Sequence, residues 1–141
     1  VGGMIDLRRG IIRAIGNDPG RRFLRDPVRM MRAVRHAART GFIIEPNTWE
    51  AILRHSDKIR LCAIPRVRDE WLKDIRSGYS RPWVELMLES GLFTSVFSGS
   101  APIFKGSKGE LVRKLLFGLL ARLDRMIKDN IKVSDAFILA L

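Results

Sequence analysis

The 141 residues predict an all-α, multi-helical protein, and three observations carry that prediction. No stretch alternates apolar and polar residues convincingly at period two, apolar residues recur at helical spacing in segment after segment, and Asp-Pro or Pro starts and Gly stops separate those segments. The first segment, "IDLRRGIIRAIG", ends at Gly16 and is too short for periodicity to separate an extended stretch from a helical turn. Asp18-Pro19 predicts a short helix through Arg25, and Asp26-Pro27 predicts a longer one closed by Gly41. An Asp carboxylate accepts the free amide protons of a first turn, Pro fits the first helical position, and Gly supplies a left-handed stop. "PNTWEAILRHS" follows Glu45, with Pro46 in its first turn. "IPRVRDEWLKDIRSG" puts Val67, Trp71 and Ile75 on one face and ends before Gly78; "RPWVELMLESG" is closed by Gly91. The longest helix is predicted from about Glu110 to Lys128, with a wide apolar face of Leu111, Leu115, Leu116, Leu119, Leu120 and Leu123. The last starts near Ser134-Asp135 and continues as "AFILAL". Between them "SGSAPIFKGSKG", residues 98–109, reads as a loop between an N-terminal and a C-terminal helical unit.

Charge is concentrated at one end. Residues 1–40 hold ten arginines, no lysine and three acids, which is +7 of the formal +11, and the pI is near 11.0. A field of this sign attracts polyanions, so nucleic acid, nucleotide or an anionic membrane are the candidate partners. Arginine's planar fork binds phosphates and base edges bidentately, which tilts the choice towards recognition. No apolar run reaches the ~18 residues of a membrane span, and no signal-peptide pattern is present. Cys62 is the only cysteine, which excludes an intrachain disulfide and a multi-cysteine zinc site and reads as a small core residue in a reducing, cytoplasmic setting. The opening "VGGMIDL" without an initiator Met is expected of a piece of a longer protein.

In "RDPVRMMRAVRHAAR" the helical turn of about 100° per residue gathers Arg29, Arg32, Arg35, His36 and Arg39 into an outward stripe opposite Met30, Met31, Ala33, Val34, Ala37 and Ala38. An exposed face is usually charged, but like charges at these spacings cost about 0.2–0.5 kcal/mol per pair, so carboxylates from outside the helix or a bound phosphate should compensate. Asp26 has two readings: a helix cap contributing about 1 kcal/mol, or, beside Arg29 three residues on, the acceptor of an acceptor–donor pair suited to a base edge.

The stretch from Val1 to Ile52 resembles the neck region of the class II branch of the tRNA nucleotidyltransferase and poly(A) polymerase superfamily. Gly2-Gly3 with Asp6-Leu7 matches that family's Gly-Gly-x-x-Asp-Leu link between catalytic head and neck, and "RDPVR" is similar to its Glu-Asp-x-x-Arg nucleotide-recognition motif. The resemblance implies that Asp26 and Arg29 read the Watson–Crick edge of the incoming nucleotide, with Arg25, Arg32 and Arg35 near its phosphates. The family's Glu is Arg25 here, which adds repulsion to the site. "PRVRDEWLKDIRSGYSRPWVELMLESGLFTSVF" and "DRMIKDNIKVSDAFILAL" are similar to later segments of bacterial poly(A) polymerases. This organisation implies the end of the head–neck link over 1–16, a neck over 17–97 that selects nucleotide and binds RNA, the loop at 98–109, and the start of a body domain over 110–141.

The implied activity is addition of AMP from ATP to RNA 3′ ends. CCA addition to tRNA and a non-catalytic RNA-binding helical module are the alternatives. The family's Mg2+ ions sit on head-domain carboxylates that follow a Gly-Ser signature, and no Gly-Ser followed by Asp-x-Asp occurs here. The chain alone is therefore expected to be inactive and to bind no metal, and Asp18, Asp69 and Glu70 read as isolated surface or capping acids. Trp49, Trp71 and Trp83 share helical spacing with Ile52, Ile75 and Leu86 and read as core; Tyr79 is the better base-stacking candidate. His36 and His55 lack partners at metal-ligand spacing. Lys105, Lys108, Arg113 and Lys114 either track an RNA backbone, as Arg39 would, or keep a loop soluble.

Overall fold

The computed structural model describes residues 2–139. Val1, where the expected link begins, and residues 140 and 141, where the expected last helix ends, lie outside them. The ambiguous first segment takes both forms: a helix, Gly3–Arg9 (α1), turns at Gly10 with φ 67° into a two-residue strand, Ile11–Ile12 (β1). It pairs in parallel with Ile43–Ile44 (β2), Ile11 opposite Ile43 and Ile12 opposite Ile44. Two residues are too few for an alternation signal, and the rest of the described chain is helical or irregular, so the fold is all-α.

Pro19–Arg25 (α2) starts as expected, the Asp18 carboxylate accepting the Arg21 amide at 3.0 Å. Val28–Thr40 (α3) ends at Gly41, whose N–H donates to the Ala37 carbonyl. Its beginning corrects one reading: Pro27 occupies the cap position and no side chain caps the helix. The Asp26 carboxylate is held by arginines instead. Pro46–His55 (α4) is capped by Glu45, which accepts from the Thr48 amide and hydroxyl at 2.8 and 2.9 Å. A 3-10 segment, Ser56–Leu61, leads to Ile64–Ile75 (α5), Ser80–Glu89 (α6) and Leu92–Val96 (α7).

One apolar core joins these elements. Val28, Met30, Met31 and Val34 of α3 are fully buried against α6, where Trp83, Val84 and Met87 face them, and Phe23 and Ile52 close the α2–α4 side. Trp71 lies on Trp83 at 4.9 Å between ring centroids and edge-on to Phe97 at 4.6 Å, and Trp49 packs partly buried against the same core. Cys62 borders the core, and burial pushes its thiol up from the ordinary value.

Residues 98–109 are more ordered than their composition predicts. Ala101–Phe104 form a 3-10 turn, and the long helix begins at Gly106 and runs to Lys128 (α8), ahead of the expected Glu110. Gly109 explains the close join: a Cβ there would lie 2.2 Å from the Phe104 carbonyl carbon. Half of the expected leucine face is also corrected. Leu116, Leu120 and Leu123 pack on the core, but α6 and the 3-10 turn cover only one side of α8, and Leu111, Leu115 and Leu119 are 58%, 59% and 44% exposed. A short helix, Asp135–Leu139 (α9), follows.

Beside the apolar core, α3 meets α5 through charge. Arg66, Glu70 and Asp74 recur every fourth residue on α5, and Asp26, Arg32 and Arg35 answer them. Arg66 pairs with Asp26; Glu70 takes Arg32 Nη2 at 2.7 Å and also Arg35; Asp74 takes Arg35 Nε and, at 3.1 Å, Nη2. Arg35 is only 7% exposed and Asp74 1%. The outward stripe is thus corrected at Arg35, whose donors are used inside the protein, and Glu70 is no isolated surface acid. Burial pushes the Asp74 carboxyl up to about 6 against the pull of Arg35. Burial also acts on Glu70, but hydrogen bonds from Arg35 and Arg32 bring it below its usual range.

Two predictions follow from packing. Gly109→Ala forces α8 away from Phe104 and lowers unfolding free energy by about 1–3 kcal/mol in urea denaturation; an unchanged midpoint contradicts the close join. Asp74→Ala strands Arg35 and costs about 3–5 kcal/mol, whereas Arg35→Met with Asp74→Leu costs far less. Asp74 binds its proton more tightly folded than unfolded, so its contribution is present below about pH 4 and lost as pH rises through about 6. Asp74→Asn should remove that decline, as read by denaturation at pH 4 and pH 6.5.

Candidate nucleotide and RNA site

The joint between α2 and α3 forms the floor of an open cleft of about 410 Å³. Capping by Asp18 fixes the start of α2, which then presents Arg21, Arg22 and Arg25 to the cleft; Asp26 and Arg29 follow across Pro27, with Gly16 and Asn17 opposite. Four arginines face two carboxylates there, an excess that suits an anionic ligand. Arg22 Nη1 donates to the Ile15 carbonyl at 3.1 Å, which ties the helix to the cleft wall.

Asp26 and Arg29 are brought together as expected: Arg29 Nε lies 3.2 Å from Asp26 Oδ2. Since no cap uses the Asp26 carboxylate, its lone pairs face arginines and the cleft. Arg66 Nη2 reaches Oδ1 at 3.0 Å and Oδ2 at 3.1 Å. Arg25 lines the cleft with an exposed side chain and, among the described residues, no ion-pair partner. Arg32 lies one turn further along α3, tethered to Glu70 rather than lining the cleft. Arg39 is exposed beyond it. His36 titrates below its ordinary value, through burial and then the neighbouring Arg35, Arg39 and Arg32, so the imidazole is neutral near pH 7 and adds no charge to the stripe.

The other candidates lie elsewhere. Tyr79 is partly exposed, but Lys128 Nζ sits 4.5 Å from its ring centroid and occupies one face. Lys105, Lys108, Arg113 and Lys114 are exposed around the start of α8, and none lines the cleft. Arg21, Arg22 and Arg66 are the residues that sequence reasoning missed. The signal for Arg66 was present in the four-residue repeat Arg66, Glu70, Asp74, whose signs oppose those on α3. The described residues contain no group of three or more His, Cys, Asp or Glu able to hold a metal ion, so none of them fits the Mg2+ pair that the resemblance places on head-domain carboxylates. No helix among them is long and apolar enough to cross a membrane.

Residues 41–104 match a family described as "Probable RNA and SrmB- binding site of polymerase A". The chain is 36% identical over 140 residues to poly(A) polymerase I of Escherichia coli O6:H1, covering 99% of this chain and 30% of that protein. It is 28% identical over 138 residues to poly(A) polymerase I of Haemophilus influenzae. A CCA-adding enzyme of Ligilactobacillus salivarius is 36% identical over 115 residues, 82% of this chain and 27% of that protein. The chain thus spans about 30% of the length of the curated relatives it matches along nearly its whole length. On these matches the chain belongs with the poly(A) polymerases and CCA-adding nucleotidyltransferases, over the neck and body region that makes up about 30% of those proteins.

Proposed function

We propose that this chain supplies base selection and RNA holding to a template-independent RNA nucleotidyltransferase, a poly(A) polymerase that adds AMP from ATP to RNA 3′ ends in the cytoplasm. The observation that carries the reading is a carboxylate and a guanidinium side by side, unused by any helix cap, at an arginine-lined cleft. The Watson–Crick edge of adenine offers an amino donor beside a ring-nitrogen acceptor. Asp26 accepts from the first and Arg29 donates to the second, while Arg21, Arg22 and Arg25 attract the phosphates. Guanine and uracil reverse that order and meet like against like. Cytosine presents the same order as adenine, so the pair separates A and C from G and U, and the shape of the complete site must separate A from C. Matches over 99% of the chain to a poly(A) polymerase and 82% to a CCA-adding enzyme favour ATP alone.

In this reading residues 1–16 end a head–neck link, 17–97 form the neck, 98–109 connect, and 110–141 begin the body. The Mg2+-binding head lies outside these residues, and the chain by itself adds no nucleotide. Arg39 extends the cationic track beyond Arg32, which Glu70 holds, while Tyr79, Lys105, Lys108, Arg113 and Lys114 hold RNA further off. Arg35, buried on Asp74, positions Glu70 and does not touch phosphate.

Incorporation of each nucleoside triphosphate into a defined RNA by the full-length polypeptide tests this. Asp26→Ala and Arg29→Ala should each lower discrimination of ATP over GTP and UTP by roughly 5- to 150-fold, the value of one bidentate base contact. Equal use of CTP by the unaltered protein would shift the reading to CCA addition, and unchanged discrimination in both variants would refute the role of the pair.

A further inference from the structure

Asp26 needs a fixed orientation to read a base, and no helix cap supplies one. It stands at a joint between two helices, its side chain 20% exposed and caught between two guanidiniums. The two carboxylate oxygens differ. Oδ2 accepts the Arg66 Nη2 hydrogen bond at 3.1 Å and lies 3.2 Å from Arg29 Nε. Oδ1 is turned inward with no hydrogen-bond partner, and the same Arg66 Nη2 lies 3.0 Å from it. A cation that straddles both oxygens restricts the plane of the carboxylate, which keeps one oxygen beside Arg29. Arg66 comes from α5, forty residues away, and that helix is locked on α3 one and two turns further along by Glu70 and Asp74.

We infer that Arg66 is a specificity-determining positioning residue: from α5 it fixes the plane of the Asp26 carboxylate so that the oxygen next to Arg29 is the acceptor offered to the base. This rests on the base-reading role proposed above for Asp26 and Arg29. Arg66 itself does not touch the base. Its guanidinium also offsets the negative charge on Asp26, which leaves Arg29 free to turn its remaining N–H groups to the ligand. Without Arg66, Asp26 closes on Arg29 alone, the pair satisfies itself, and the carboxylate plane is free to tilt away from the base. The loss should appear as lost selectivity more than lost turnover, because phosphates and RNA are held by other residues.

The test uses the full-length polypeptide, with kcat and KM measured for ATP and for GTP on one RNA, for the unaltered protein and for Asp26→Ala, Arg66→Ala, Arg66→Lys and the Asp26→Ala, Arg66→Ala double variant. Arg66 is half exposed, and far-UV circular dichroism and a urea midpoint establish that each variant is folded. The expected result is a roughly five- to thirtyfold fall in the ATP-to-GTP ratio of kcat/KM for Arg66→Ala, the range of a direct coupling between neighbours. The fall should lie mostly in KM for ATP, with partial recovery in Arg66→Lys and no further loss when Arg66→Ala is added to Asp26→Ala. If Asp26→Ala loses discrimination while Arg66→Ala keeps it, or lowers kcat equally for both nucleotides, the inference about Arg66 is overturned and the base-reading pair stands. If the unaltered protein does not discriminate, or Asp26→Ala discriminates as well as it does, the base-reading pair falls and this inference with it.

Discussion

The seam of charge between α3 and α5 governs where the cations of this protein point. Asp26, just before α3, and Arg32 and Arg35 on it meet Arg66, Glu70 and Asp74 of α5 in the same order along both. Because each pair joins opposite signs, sliding one helix by a turn would bring Arg66 towards Arg32 and break the pair at Asp26. The apolar contacts of α3 with α6 supply most of the burial, but apolar packing tolerates small shifts, whereas a buried guanidinium between two carboxylates does not. The cleft at the α2–α3 joint inherits its geometry from that register.

Such a seam is a poor source of net stability. Moving Arg35 and Asp74 out of water costs several kcal/mol per ion before their attraction offsets it, and the raised Asp74 carboxyl expresses the same opposition. What the seam contributes is allocation. Arg35 and Arg32 are neutralised by carboxylates from another helix, and His36 is uncharged near neutral pH. The arginines without such partners, Arg25 above all, lie at the cleft or beyond it. A stripe that would repel itself on an isolated helix thereby becomes a sorted set, part structural and part available to a ligand.

Much of this was legible in the sequence, for identifiable reasons. Asp18, Gly41 and the apolar spacing of Val28, Met31 and Val34 act within a few residues of themselves, and the structure bears them out. The need for compensating carboxylates near the arginines was legible too, from repulsion alone. Their identity was not: helical periodicity assigns residues to a face but does not say which neighbour that face meets, so Arg35 read as outward and Glu70 as isolated. The leucines of α8 failed for the same reason, since six apolar residues define a wide face and only half of it finds a cover. Asp26 shows a subtler limit. Its sequence context offers a cap or a pair with Arg29; the structure shows the pair, and Arg66, forty residues away, is the partner that the sequence did not reveal.

The most direct test of this division of labour is to follow the arginine Nε–H resonances of the 141-residue chain by nitrogen-15 NMR while ATP is added. Sorted as described, Arg29 and Arg25 shift and saturate together, while Arg35, held by Asp74 and Glu70, stays in place at every concentration. If Arg35 shifts along with them, or if Arg29 stays still while cations on α8 respond, the α3–α5 seam does not separate structural from ligand-facing arginines and the cleft at Asp26 is not where the nucleotide binds.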